Sequence, residues 1–291
     1  MTLNVCSRLL DLTRPVVMGI LNVTPDSFFD GGRYTTLDNL LHQAEKMLTA
    51  GATLLDVGGA SSRPGATEVT EVEELSRVLP AVESLAKHFP EALLSIDTWR
   101  GKVALAAVQA GAGLINDISA GRLDAAMYPT LRTIHAVQTN DHRWGPVPYI
   151  LMHMQGRPET MQQAPIYIDV VTEVLDFFIA EVARLRALGV TDIVLDPGFG
   201  FGKTVEQNFQ LLRQLDTFGQ VLGLPVLAGL SRKSMICKVL KVNPEYALNG
   251  TTALHMVALQ QGAKILRVHD VREAMEVIRL WGMLESTVSP A

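Results

Sequence analysis

Two short patterns alternate along this chain, four copies of each, and they constrain its fold more than any other feature. The first reads Gly, a small or β-branched residue, an apolar run, then a polar residue. It occurs as "GATLLD" (51–56), "GAGLIND" (111–117), "GVTDIVLD" (189–196) and "GAKILRVH" (262–269). Each Gly follows an amphipathic stretch, as a residue does that ends a helix in left-handed backbone and leads into a buried strand. The second pattern is an apolar run opened by Pro: "PVVMGILN" (15–22), "PEALLSID" (90–97), "PVPYILMH" (146–153) and "PVLAGLSRK" (225–233). Pro is tolerated at a strand's first position, where no ladder bond is needed. Apolar runs of this kind suit strands buried on both faces of a parallel sheet.

Helical periodicity fills the gaps. Over 165–189, Val171, Val174, Leu175, Phe178, Val182 and Leu185 recur at i, i+3 and i+4. Thr70 with Glu73, and Thr204 with Gln207, have the spacing of capping boxes. Eight alternating strand–helix units predict a single-domain α/β fold, a (β/α)8 TIM barrel, with its active site at the C-terminal ends of the strands. An open doubly wound sheet is the competing architecture. No domain boundary is visible, so residues 1–291 are expected to form one domain, and 48% hydrophobic composition is ample for its core. The polar stretch "HAVQTNDHRWGPVP" (135–148) reads as a surface loop before the fifth strand.

Charge and composition exclude several classes. A formal charge of −5 with dispersed basic residues gives no nucleic-acid footprint. No 18-residue apolar run and no secretory leader pattern occur, so neither membrane nor export is expected. Cys6 and Cys237 form no disulfide framework or metal spacing. A cytoplasmic protein is the expectation.

The residues that end the strands are polar: Asn22, Asp56, Asp97, Asn116 with Asp117, His153, Asp196, Ser231 to Lys233, and Arg267 with His269. In a barrel they gather at one rim. A carboxylate at the end of an apolar strand needs a partner, because burying it alone is costly. Asp97, Asn116 and Asp196 suit a flat heterocycle with adjacent N–H and NH₂ groups. Arg267, His269 and Asn22 suit an anion such as a phosphate. Asp56 and Asp117 are expected mostly to cap helices or tie down loops. Two long, Gly- and Pro-rich connections, 22–34 and 57–68, read as ligand-covering loops.

The stretch "LDPGFGFGKT" (195–204) imitates a phosphate loop and fails as one. A P-loop would need Gly at Pro197, which has no N–H to offer. A dinucleotide fingerprint would need Gly at Lys203. Lys203 is expected to be a solvated residue at the next helix start, with no catalytic role.

Eight motifs in order, "GILNVTPDSF", "DVGGASSRPGA", "SIDT", "INDIS", "LMHMQGRPETM", "LDPGFGFGKT", "GLSRKS" and "RVHDV", resemble the dihydropteroate synthase family from about residue 14 to 281. The resemblance implies condensation of 6-hydroxymethyl-7,8-dihydropterin diphosphate with para-aminobenzoate, giving 7,8-dihydropteroate and pyrophosphate by a dissociative route. It implies a pterin clamp of Asp97, Asn116, Asp196 and Lys233, with Ile118, Met152 and Gly229 also binding substrate. It implies a diphosphate site of Asn22, Arg267 and His269, with Asn22 a Mg²⁺ ligand. Around para-aminobenzoate it places Ser62, Arg63, Pro64, Phe201 and Ser234, with Phe28 and Asp30 from the first loop. It further implies a homodimer and competition by sulfonamides. Ala60, Ser62 and Phe29 depart from the family pattern, where Glu or Gln, Thr and Ser are common, and they bear on sulfonamide affinity and loop closure. Two rivals share parts of the pattern: the pterin-binding module of a methyltetrahydrofolate methyltransferase, which has less use for Ser62-Arg63-Pro64 or Arg267 and His269, and a non-catalytic pterin-binding paralogue.

Overall fold

The four glycines expected to end helices, Gly51, Gly111, Gly189 and Gly262, all have positive φ. That conformation is nearly free for Gly and strained for other residues. The computed structural model describes residues 1–23, 36–60, 69–141, 146–158, 160–161 and 165–288. After an N-terminal hairpin, β1 (Thr2–Val5) and β2 (Arg8–Asp11), eight parallel strands follow. They are β3 (Val16–Asn22), β4 (Leu54–Gly58), β5 (Leu93–Asp97), β6 (Leu114–Asp117), β7 (Tyr149–Met152), β8 (Ile193–Asp196), β9 (Leu227–Ala228) and β10 (Ile265–Val268). The ladder runs β8-β7-β6-β5-β4-β3-β10-β9. A bridge from Leu195 to Val226, with the Leu195 N–H donating to the Pro225 carbonyl at 2.9 Å, joins β8 to the β9 segment and closes the ring. This is the (β/α)8 barrel, not the open sheet.

The helices are α1 (Thr36–Thr49), α2 (Glu71–His88), α3 (Gly101–Ala110), α4 (Met127–Asp141), α5 (Val170–Ala187), α6 (Val205–Arg213), α7 (Asp216–Leu222), α8 (Ser234–Leu240), α9 (Leu248–Gln260) and α10 (Val271–Val288). Their apolar faces and the outer faces of the strands share one buried cluster. The capping box of α6 is complete: Thr204 accepts from Gln207, and the Gln207 side chain returns to the Thr204 N–H. That of α2 is half made, because Glu73 pairs with Arg77 instead of reaching back. The first half of the expected loop over 135–148 is helix. Leu131 and Ile134 bury one face of α4, and the helix continues through the polar residues to Asp141. Packing of these anchors carries the helix into residues whose own helix propensity is poor.

The hairpin was not anticipated. Leu3, Val5, Leu10 and Leu12 pack with Met18, Leu54, Leu114, Ile150, Val194, Leu227 and Ile265, the lowest inward-facing residues of the strands. Its backbone is pinned by Asn4 N–H to Asp192 at 2.9 Å and Cys6 N–H to the Pro146 carbonyl at 2.8 Å. The bottom of the barrel is therefore plugged, and inward-facing residues two and four positions further along each strand lead up to the open mouth. No helix among the described residues is long and apolar enough to cross a membrane.

Candidate functional site

The centre of the barrel holds a charged network that crosses strands. Asp56 of β4 is fully buried and accepts from the Asn116 amide at 2.8 Å and from Arg267 Nε at 2.6 Å. Arg267 Nη2 donates to Asp97 at 2.5 Å. Burial opposes the Arg267 charge, but the Asp56 and Asp97 carboxylates outweigh it and raise its pKa. Burial pushes the Asp97 carboxyl up to about 7, against the pull of Arg267. Asp196 is also raised by burial, opposed by Lys233 and by the Gly198 N–H that it accepts at 2.8 Å. These carboxylates are short of solvent and gain from any N–H donor that a ligand supplies.

Register places the remaining groups. Asn22, Gly58 and Asp97 are in line across β3, β4 and β5, and Asp97 is in line with Asn116 of β6. Gly58 lies beside both polar groups: a Cβ there would make ordinary contact at 3.7 Å from Asn22 Oδ1 and 3.6 Å from Asp97 Oδ2. Met152 and Asp196 are in line across β7 and β8. Gly229 faces the same group, since a Cβ there would lie 3.9 Å from both Asp196 Oδ2 and Lys233 Nζ. Lys233 is half-buried, and desolvation lowers its pKa to about 8 while Asp196 opposes the shift. Its ammonium donates to the Phe199 carbonyl and lies 4.5 Å from the Phe201 ring centroid. His269 Nδ1 is 2.9 Å from Ser231 Oγ, which also accepts the His269 N–H at 3.2 Å. Ile118, Met152, Met154 and Met161 form an apolar wall joined by Trp99, Leu123 and Phe201.

The structure thus brings Asp97, Asn116, Asp196, Lys233 and Arg267 to one mouth, with Asn22, Gly229, Phe201, Ile118 and Met152 around them. His269 stands beside Ser231 at the end of β10, and Ser234 is exposed at the start of α8. Phe28, Asp30, Ser62, Arg63 and Pro64 lie outside the described residues, as does Phe29. Two expectations change. Asp56 is not a helix cap: β4 continues to Gly58, so Asp56 sits inside the barrel and orients Asn116 and Arg267. The inward parity of Leu54 and Asp56 was the available signal. Asp117 keeps its expected loop-tying role, accepting from Ser119, Gly121 and Tyr149. Lys203 is not solvated. It is 2% exposed and donates to His153 Nδ1 and to the carbonyls of His153, Gly198 and Phe201.

The sequence model of the pterin binding enzymes matches residues 18–269. The dihydropteroate synthase of Escherichia coli (strain K12) is 46% identical over 286 residues, covering 96% of this chain and 94% of that one. The chain belongs to the dihydropteroate synthase family. Solved structures of the family agree in shape. A Yersinia pestis dihydropteroate synthase in complex with a sulfonamide drug has 45% identity and a TM-score of 0.88, covering 98% of this chain and 100% of that one. A Xanthomonas albilineans dihydropteroate synthase with 4-aminobenzoic acid has 41% identity and a TM-score of 0.88, with 99% of both chains covered. Near full-length likeness to these synthases does not favour the methyltransferase module or the non-catalytic paralogue.

Proposed function

We propose that this barrel mouth is the active site of a dihydropteroate synthase, a transferase that joins 6-hydroxymethyl-7,8-dihydropterin diphosphate to para-aminobenzoate and releases pyrophosphate. The observation that carries the reading is the cross-strand network of Asp56, Asp97, Asn116 and Arg267, in a chain that aligns with these synthases over nearly its whole length. Because Asn116 gives its amide N–H to Asp56, its carbonyl oxygen is left to accept from a ligand. With Asp97 and Asp196 it forms an acceptor set for the N–H and NH₂ edge of a pterin. The apolar wall of Ile118, Met152 and Phe201 receives the ring faces. Arg267 uses Nε and Nη2 on the carboxylates, and its Nη1 donors serve the diphosphate together with His269.

Asn22 fits a role as the protein ligand of Mg²⁺. Its oxygen lies at the mouth beside Asp97, and among the described residues no group of three or more His, Cys, Asp or Glu forms a cage. Mg²⁺ is commonly held by one or two protein oxygens, substrate phosphates and water. When bound, the ion supplies neutralisation of the charge on the departing pyrophosphate. The chain's own part is to hold the ring in a field made negative by Asp97 and Asp196, which favours the cationic pterin carbon left by that departure. The aryl amine then attacks from the Phe201 side, near Ser234 and the loop of Ser62, Arg63 and Pro64, with Phe28 and Asp30 from the first loop. Sulfonamides compete for that position. We assign no general base.

The exposed Leu280, Met283 and Leu284 of α10 support a homodimer through the late helices. A cytoplasmic location suits an enzyme of this reaction. The test is a pyrophosphate-release assay with both substrates and Mg²⁺. Release that is absent, or that leaves no pterin–aminobenzoate product, would refute the reading.

A further inference from the structure

Lys203 of "LDPGFGFGKT" has no functional role above, and its surroundings are unusual for a lysine. Its ammonium is buried in contact with four acceptors and no carboxylate: His153 Nδ1 at 3.0 Å, the His153 carbonyl at 3.2 Å, the Gly198 carbonyl at 3.1 Å and the Phe201 carbonyl at 3.0 Å. Fully buried lysines are rare unless paired. The acceptors belong to two neighbouring segments, the end of β7 and the loop from β8 to α6. These segments touch so closely that a Cβ at Gly198 would fall 2.0 Å from the His153 carbonyl oxygen, and one at Gly202 would fall 2.3 Å from that of Gln155. The Tyr167 hydroxyl adds a bond to the Gly202 carbonyl at 2.9 Å. From the mouth side, Lys233 takes the Phe199 carbonyl. Successive carbonyls of the loop are therefore gripped by two lysines, one from beneath and one from within the site, and Phe201 stands between them.

We propose that Lys203 is a positioning residue for the aryl amine: by fixing the Gly198 and Phe201 carbonyls it sets where the Phe201 ring stands in the mouth. The inference rests on the reading of Phe201 as a wall of the para-aminobenzoate position. Asp196 reaches the pterin from the strand end itself, upstream of the gripped carbonyls, so the two substrates should feel the loss of Lys203 unequally.

The experiment is steady-state kinetics on the full-length enzyme and on K203M, F201A and the double variant. K203M should raise the KM for para-aminobenzoate by about tenfold and that for the pterin diphosphate by less than threefold. In the F201A background K203M should add less than twofold. If F201A itself leaves the para-aminobenzoate KM unchanged, the assignment of Phe201 is wrong and the inference goes with it. If F201A raises that KM and K203M does not, or if K203M raises both KM values alike, the reading of the site stands and the positioning role falls. Should K203M not fold, K203Q, whose amide keeps two donors, is measured for the same split. A K203Q that also fails to fold, or that shows no split, makes Lys203 purely structural and overturns the proposal.

Discussion

Asp56 and Asp97 are separated by one layer of the barrel, and that separation decides what each can do. Asp97 is in line with Gly58, two residues above Asp56 on the neighbouring strand, and retains 14% side-chain exposure. Asp56 has none, and one of its oxygens has no hydrogen-bond partner among the described residues. A carboxylate so placed works through the groups it holds. Asp56→Asn should weaken binding of a pterin lacking the diphosphate by about ten- to a hundredfold, since a hydrogen bond to a charged group is worth about 1.5–3 kcal/mol. Calorimetric titration reads this directly, and an unchanged dissociation constant would remove Asp56 from the site. Asp196→Asn should likewise lower turnover with the fold intact by circular dichroism; an unaltered rate would dismiss its role. The rim residues were legible because apolar strands ending in Asp, Asn, Arg or His leave little else for those groups to do. Asp56 is not legible as an inward group because "GATLLD" ends in sequence where its sister patterns end, whereas β4 runs two residues further. Lys203 left no signal at all: the sequence does not say which way a long side chain folds back after a run of glycines.

Among the elements, α9 carries a polar cost of its own. His255 is 1% exposed, and neither ring nitrogen has a hydrogen-bond partner among the described residues. Burial lowers its pKa to about 4, opposed by Asp270. The folded-state pKa lies below the unfolded value, so its contribution to stability is whole above about 6.5 and is lost as pH falls toward 4. His153, lowered to about 2 by burial and then by Lys203 and Arg122, acts with the same sign. The thermal midpoint should therefore drop as pH is taken from 7 to 4. His255→Leu should raise stability at pH 7 by about 1 kcal/mol, by removing buried unpaired nitrogens, and should flatten part of the acid slope. Parallel curves for the two proteins in scanning fluorimetry would contradict this. The helices themselves were readable where an apolar face recurs, as on α5. They were not readable on α4, where buried Met127, Leu131 and Ile134 carry a polar extension.

At the scale of the whole molecule, the barrel is one ring of strands with its N-terminal end stoppered. Leu12 is fully buried in that stopper. Leu12→Ala should cost about 2–5 kcal/mol in urea unfolding, and a loss below about 0.5 kcal/mol would mean that the hairpin adds nothing to the core. The hairpin is hard to read from sequence because its turn is made by Cys6 and Ser7, both at positive φ, and lacks the Asn-Gly or Asp-Gly that marks such turns. The alternation of Leu3 with Val5 and of Leu10 with Leu12 was the faint trace it left. A chamber shut at its base has a single doorway. On the proposed placement of the two substrates, the deeper pterin must come in first, the finished molecule must back out past the position of the amine, and an excess of amine arriving early should hold up the queue and slow the enzyme.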